Sequence, residues 1–315
     1  MHDLVTLGEV LLRLAIPAPH RTETAQQLDV QIGGAEANVA AAAARLGLRT
    51  AWISALPDNA WGDRVHRELT GHGVDCAGVR RIDGARLGIY FLEYATAPRP
   101  IRVLYDRHDS AFARLAPDDV DWDPVRRARV VHLSGITPAL GQRSRALIDR
   151  AIEEVGCELS FDLNYRSTLW SADEARAFAT PVLPRVRYLF VGAEEARVVF
   201  GIDGEPQDVL ARLAQLAPEA CIALMQGADG CTVLHEGRVL EPRRRHRVDL
   251  VDPIGAGDAY VGGFLWATLS GRSVEDAIDA GQAVAALKCS MWGDIARICP
   301  RDVDDLLSGG PSVRR

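Results

Sequence analysis

The chain has 315 residues, of which 48% are hydrophobic and 25% charged, so it can form one large α/β domain or two smaller ones with a sizeable core. Its formal net charge of -7 argues against a general binder of nucleic acids or anionic membranes. No apolar run is long enough to span a bilayer, the N-terminus does not have the pattern of a signal peptide, and the scattered cysteines form no Cys-x-x-Cys pair. We therefore expect a cytoplasmic protein without a structural zinc.

Short apolar runs alternate with amphipathic segments along most of the chain, which is typical of a mostly parallel sheet covered by helices. The predicted strands are residues 4–7, 51–54, 130–133, 158–162, 188–191, 221–225 and 232–234. The predicted helices are residues 34–46, 61–72, 142–154, 172–183, 194–200, 209–216, 258–269 and 274–287. This order predicts the α/β fold class.

Two segments interrupt the alternation. Residues 11–32 contain prolines and a polar middle before a strand-like stretch at 28–32. Residues 87–94 and 101–107 flank a turn at 97–100, which predicts a β-hairpin. A small sheet that covers an active-site cleft and excludes water would explain these strands. An edge extension used only for dimerisation is the alternative, and the two can coexist.

Residues 249–264 carry the most informative local pattern. The turn Gly255-Ala256-Gly257 is followed at once by Asp258 and then by an apolar, helix-compatible run. Glycines let the backbone approach a ligand closely, and the free N–H groups at a helix N-terminus suit a phosphate. An aspartate beside that anion can take a proton from a hydroxyl. The pattern fits a phosphoryl-transfer site, and it also fits an ordinary glycine turn with Asp258 as helix cap.

Two further segments carry a family resemblance. Residues 33–40 read Gly-Gly-Ala-Glu-Ala-Asn-Val-Ala, and residues 252–258 read Asp-Pro-Ile-Gly-Ala-Gly-Asp. They resemble the two signatures of the ribokinase-like (PfkB) carbohydrate kinases, and the similarity spans nearly the whole chain. Within that family, residues 131–140 and 161–170 are most similar to 2-keto-3-deoxygluconate kinases.

The resemblance implies a ribokinase-like fold for the whole chain. We expect one kinase domain over residues 1–315, with a mostly parallel sheet flanked by helices. A small β-sheet lid would be formed by approximately residues 11–32 and 86–108.

The same resemblance implies roles for individual residues. The base that deprotonates the acceptor hydroxyl and the amides of the anion hole are implied to be Asp258, Gly255, Ala256 and Gly257. The substrate pocket is implied to contain Gly34, Asn38 and Asp294, although a surface turn is the alternative for Asp294. The nucleotide side is implied to contain Asn164, Gly227, Gly230 and Gln282.

Two arginines and two tyrosines favour an acidic sugar as the substrate. Arginine binds carboxylates through paired, charge-assisted hydrogen bonds, and both Arg107 and Arg166 can converge on the cleft. Tyr90 and Tyr105 offer flat faces and hydroxyls to a sugar chain. The alternative is that the two arginines form internal salt bridges.

The expected cofactors are ATP and Mg²⁺, because the β- and γ-phosphates need charge neutralisation. Glu195 is implied to organise the hydrated Mg²⁺, although Gly192 stands where relatives often have asparagine. Met225 similarly replaces a common lysine. A potassium ion or a similar monovalent ion is implied near Asp252, for which a turn or cap role is the alternative.

These observations predict an ATP-dependent kinase that phosphorylates the terminal hydroxyl of a 2-keto-3-deoxy sugar acid. The alternatives are a kinase of a neutral sugar or nucleoside on the same fold, and a sugar-acid or nucleotide sensor that has lost turnover. We expect small-molecule partners, no nucleic acid, no membrane, and homo-oligomers formed through the lid.

Overall fold

The computed structural model describes residues 1–95 and 98–309. The strands are β1 (Leu4–Leu7), β2 (Leu11–Ile16), β3 (Asp29–Gly33), β4 (Thr50–Pro57), β5 (Val74–Asp75), β6 (Val79–Ile82), β7 (Gly88–Glu93), β8 (Arg102–Asp106), β9 (Val130–Ser134), β10 (Glu158–Asp162), β11 (Val186–Gly192), β12 (Cys221–Met225), β13 (Cys231–His235) and β14 (Arg238–Leu240). The α-helices are α1 (Ala35–Arg45), α2 (Ala60–Gly71), α3 (Ala111–Arg114), α4 (Asp123–Arg126), α5 (Gln142–Glu154), α6 (Ala172–Val182), α7 (Ala193–Phe200), α8 (Pro206–Leu216), α9 (Ala256–Leu269), α10 (Val274–Cys289) and α11 (Pro300–Ser308).

A large sheet runs through the centre of the molecule in the order β14-β13-β12-β11-β10-β9-β1-β4-β5, and β6 also pairs with β4. All pairs are parallel except those that β13 makes with β12 and β14. Successive residues of a strand point to opposite faces, so Leu189 and Val191 enter one apolar cluster while Tyr188 and Phe190 enter the other. Both faces are covered by helices, which confirms the predicted α/β fold class.

Helices α1 and α9 pack unusually close together on one face of this sheet. Gly262 of α9 lies against Ala42 of α1, and an added Cβ at Gly262 would come within 2.7 Å of the Ala42 side chain. The contact therefore requires a glycine. It fixes the start of α9, with Asp258, against Asn38 of α1.

A second, four-stranded sheet has the order β3-β2-β7-β8. The predicted hairpin is confirmed as the antiparallel pair of β7 and β8, although residue 97 of its predicted turn lies outside the described residues. Tyr90, Leu92 and Tyr94, which alternate along β7 and just beyond it, are all buried. Strand β2, in contrast, was not predicted individually, because within residues 11–32 the sequence indicated a strand only at 28–32. Its central Arg13 is fully buried, which the polar pattern of the segment does not suggest.

No helix in residues 1–95 and 98–309 is both long and apolar enough to cross a membrane. All six cysteines lie in this part of the chain and are unpaired.

Candidate active site

A cavity of about 410 Å³ lies between the small sheet and the carboxyl ends of the central strands. In open α/β sheets this edge is where ligands bind, because the loops that follow parallel strands converge there. Glu9 follows β1, Asp162 ends β10 and Met225 ends β12, and all three line the cavity. The N-terminus of α9 closes it from the helical side.

Most of the predicted site residues meet in this cavity. Its lining includes Gly34, Asn38, Tyr90, Tyr105, Arg107, Asn164, Arg166, Glu195, Gly255, Ala256, Gly257, Asp258 and Asp294. The nucleotide candidates Gly227, Gly230 and Gln282 and the cation candidate Asp252 do not line it.

The loop that precedes α9 has the geometry of an anion site. Gly255 has a φ of 83°, in the left-handed region, and its α-carbon packs against the backbone carbonyl of Asp294. Only glycine tolerates both conditions. The N–H of Ala256 donates to the carbonyl of Pro253 at 3.2 Å, whereas the N–H groups of Gly257 and Asp258 have no partner within the helix. The free amides of the first turn and the positive end of the helix dipole therefore face the cavity.

Asp258 has the properties of a general base. Its Oδ2 accepts a hydrogen bond of 2.7 Å from Nδ2 of Asn38. Burial raises the pKa of Asp258 to about 7, even though the Asn38 hydrogen bond opposes the shift. A base titrating near neutral pH combines a useful deprotonated fraction with enough basicity to accept a proton. Asn38, predicted as a substrate ligand, thus also holds the carboxylate of Asp258.

Two further carboxylates lie beside the anion site. Burial and the nearby charges of Glu195 and Asp258 raise the pKa of Asp162 well above its usual value, and burial also raises the pKa of Glu195. Glu195 accepts a hydrogen bond of 2.8 Å from the N–H of Gly192. Asp162, which the sequence did not single out, is the last residue of β10, and its Oδ1 accepts from the N–H of Asn164 at 3.1 Å.

This pair of carboxylates fits a hydrated Mg²⁺. Acidic groups that repel one another gain from a divalent cation, and Mg²⁺ usually keeps several waters and binds through one or two carboxylates together with substrate phosphates. Among the described residues, no group of three or more His, Cys, Asp or Glu side chains is placed to hold a metal alone.

The small sheet contributes a second, cationic side of the cavity. Nε and Nη2 of Arg107 donate to Oε2 of Glu9 at 2.9 and 2.5 Å, and Glu9 also accepts from the hydroxyl of Ser110. Arg107 therefore forms the internal salt bridge that was its alternative role, while it still lines the cavity. Arg166 is more exposed and is also ion-paired, with its Nη1 3.9 Å from Oε1 of Glu195.

Asp294 is buried, so the surface-turn alternative is wrong. Its carboxyl accepts a hydrogen bond of 2.6 Å from the hydroxyl of Tyr90 and is ion-paired with Arg13. The Tyr90 ring lies 5.8 Å from that of Tyr105, so two aromatic rings of the small sheet border the same space.

The predicted nucleotide residues outside the cavity lie together. Gly227 and Gly230 both have positive φ in the tight turn after β12. The turn is closed by a 2.8 Å hydrogen bond from the N–H of Gln226 to the Gly230 carbonyl. The Gln282 amide packs directly against Gly230, so a Cβ there would lie 2.8 Å from its Nε2. Asn164 has a φ of 40° and adjoins Asp162 at the cavity.

A helix start with free amides, a carboxylate with a pKa near neutrality and a small sheet beside the same cavity together define a kinase of small molecules. Residues 1–298 match the pfkB family carbohydrate kinases, and the chain belongs to that family. Such kinases use ATP and Mg²⁺, so the protein is an ATP-dependent sugar kinase.

Several relatives are similar over nearly their whole length. A 2-dehydro-3-deoxygalactonokinase from Haloferax volcanii is 42% identical over 98% of this chain and 97% of its own. A 2-dehydro-3-deoxygluconokinase from Thermoproteus tenax is 32% identical over 98% and 94%, respectively. The crystal structure of a 2-dehydro-3-deoxygluconokinase from Thermotoga maritima has a TM-score of 0.92 and 31% identity, covering 98% of this chain and 100% of that one.

Proposed function

We propose that this kinase phosphorylates the terminal hydroxyl of a 2-keto-3-deoxy sugar acid. The observation that carries the proposal is the composition of one cavity, which places Arg107 and Arg166 together with Asp258 and the N-terminus of α9. The names of the relatives, which are kinases of 2-dehydro-3-deoxy sugar acids, support the same substrate class.

The two arginines recognise the carboxylate of the substrate. A guanidinium has five N–H donors, and Glu9 uses only those on Nε and Nη2 of Arg107. The remaining donors of Arg107 and the exposed head of Arg166 bind the carboxylate without breaking the pair with Glu9. Glu9 in turn fixes the orientation of Arg107 before the substrate arrives, which reduces the entropy lost on binding.

Asp258 removes the proton from the terminal hydroxyl as the phosphoryl group is transferred. Asn38 keeps the carboxylate oriented, and the amides of Gly257 and Asp258 stabilise the charge on the transferring group. When bound, Mg²⁺ supplies neutralisation of the ATP phosphates, and Asp162 and Glu195 would hold its water shell. The catalytic contribution of the chain is thus positioning and electrostatics.

We also propose that the small sheet, within residues 11–32 and 86–108 of a single domain over residues 1–315, acts as the lid of the site.

The outer strand of this sheet, β8, is an edge strand in which Leu104 is 68% exposed. An apolar edge strand of this kind favours pairing with a second copy of the chain. Light scattering of the wild type and of Leu104→Asp tests this: a dimer converted to a monomer is expected, and a wild-type monomer would contradict it. The unpaired cysteines are compatible with the cytoplasm.

A panel of acceptors tests the substrate. ADP formation is measured with 2-keto-3-deoxygluconate, its galactonate epimer, ribose, fructose and adenosine, all with ATP and Mg²⁺. A strong preference for the two keto-deoxy acids is expected, and the epimer that reacts better identifies the natural stereochemistry. Preference for a neutral sugar or a nucleoside would overturn the role of the arginines but leave that of Asp258. Binding without turnover of any acceptor would identify a sensor.

A further inference from the structure

A fully buried lysine lies directly behind the loop that precedes α9, which we call the anion-hole loop. Nζ of Lys288, at the C-terminal end of α10, donates to the backbone carbonyl of Asp252 at 2.8 Å and lies 3.7 Å from Oδ1 of the same residue. Both side chains have no solvent exposure. The ammonium group is therefore held by a carbonyl oxygen and a carboxylate at the negative end of a helix, a position that suits a single positive charge.

These oxygens are those expected to bind a monovalent metal ion. The carboxylate of Asp252 also accepts from Nη2 of Arg13 at 2.6 Å and from the N–H groups of Ile254 and Gly293, each at 2.9 Å. Its negative charge is already compensated by two buried cations and its oxygens are hydrogen-bonded. A potassium ion bound there would lie close to the Lys288 ammonium. The residues present do not fit potassium at Asp252.

Lys288 is also the only lysine of the chain, and all the others of the chain's 36 Lys and Arg residues are arginines. A guanidinium is broad and planar, whereas an ammonium is a compact point charge with three donors. A sequence that otherwise uses arginine throughout thus has its one lysine where a compact cation bridges a carbonyl and a carboxylate. This composition is independent of the geometry and indicates the same role.

We propose that the Lys288 ammonium acts as a built-in monovalent cation that holds the anion-hole loop, so that the kinase needs no potassium ion at Asp252. Asp252 transmits the effect, since its Oδ1 accepts the N–H of Ile254, immediately before Gly255. Lys288 is a positioning residue, because it contacts the loop and not the reacting atoms. The inference rests on the kinase activity and on no particular acceptor.

The wild-type enzyme gives the first test. Turnover of whichever acceptor reacts is measured while K⁺ replaces choline at constant ionic strength, so that screening does not change. An unchanged kcat is expected, and activation by several-fold would overturn the proposal. A second readout needs no turnover. In protein labelled with ¹⁵N-lysine, the single Nζ should give a slowly exchanging ammonium signal that K⁺ does not shift. A rapidly exchanging signal, or one displaced by K⁺, would contradict the assignment.

Two variants separate charge from packing. Lys288→Met keeps a similar shape without the charge, and Lys288→Ala removes both. We expect each to lose kcat by on the order of tenfold or more, with little change in the KM for ATP, because the anion hole loosens. K⁺ or a small alkylammonium ion should partly restore Lys288→Ala but not Lys288→Met, and choline should restore neither. A folded variant with wild-type kcat in choline would overturn the proposal. If both variants fail to fold, the wild-type experiments still decide it.

Discussion

The hydrogen bond between Asn38 and Asp258 should set the pH at which this kinase works. Nδ2 of Asn38 donates to the carboxylate at 2.7 Å inside a partly closed cavity, and the pKa of Asp258 is about 7. Because the hydrogen bond from Asn38 stabilises the charged form of Asp258, removing this donor must raise the pKa of Asp258 further. Asn38→Leu has a similar size and no donor, which makes it the appropriate variant.

The magnitude follows from the charge on the acceptor. A hydrogen bond to a charged group contributes about 1.5–3 kcal/mol, and one pKa unit corresponds to about 1.36 kcal/mol. The pKa of Asp258 should therefore rise by about 1–2 units, to about 8–9. At pH 7 the ionised fraction would fall from about one half to between about one tenth and one hundredth. Activity at pH 7 should fall by about 5- to 50-fold and recover in alkaline solution.

The assay is kcat/KM as a function of pH, which reports the titration of the free enzyme. ADP is quantified directly, because coupling enzymes have pH dependences of their own. The wild type should show activity rising with pH through a midpoint near 7, since only the carboxylate accepts the proton. A folded Asn38→Leu with the wild-type midpoint, or a wild-type midpoint near the ordinary value of an aspartate, would refute the reasoning.

Three other predictions concern the base, the carboxylate site and the glycine loop. Asp258→Asn should lower kcat by about 10²- to 10⁴-fold while calorimetry finds ATP binding retained, and substantial residual turnover would exclude Asp258 as the base. Arg107→Ala and Arg166→Ala should each raise the KM for the sugar acid by about tenfold or more without affecting the KM for ATP; unchanged values would rule out the carboxylate contacts. Gly255→Ala should lose about 1–3 kcal/mol of stability together with most of kcat, because its φ is positive and its α-carbon adjoins a carbonyl. Gly47→Ala is the matched control. Gly47 also has a positive φ, but no atom lies within 4 Å of a Cβ added there, so this variant should lose stability and keep its kcat.

The sheet and its helices could be predicted because their signals are local. Strands β10 and β12 and helix α5 have the predicted bounds, because the apolar runs and the helical periodicity in the sequence stop at the same residues as these elements. Strand β2 could not be predicted this way. Its Arg13 is buried only because Asp252 and Asp294 neutralise it, and these partners lie 239 and 281 positions away. No local pattern reveals such a pairing.

The residues of the site also divide into those with a local sequence signal and those that only the fold brings together. Asp258 and the glycine turn are contiguous, so the sequence alone shows the pattern, although that pattern also fits an ordinary turn with a helix cap. Glu9 follows β1 and Asp162 ends β10, and only the parallel order of the sheet brings these two carboxylates to one edge. Residues that follow buried strands are therefore the signal that could have found them. The role of Lys288 depends on the contact of α10 with the loop and has no sequence signature beyond its rarity.

The contacts of Asp294 limit how mutation can change the substrate specificity of this enzyme. Its carboxyl holds Tyr90 and Arg13 of the small sheet, while its backbone carbonyl packs against Gly255 of the anion-binding loop. One residue thus joins the sheet that we propose contacts the sugar to the loop that we propose stabilises the transferring phosphoryl group. Substitutions in β2 or β7 that adapt the pocket to a new sugar will therefore also disturb catalysis. Directed evolution should obtain new specificities more readily at the exposed residues of β8, which are not joined to Asp294 in this way.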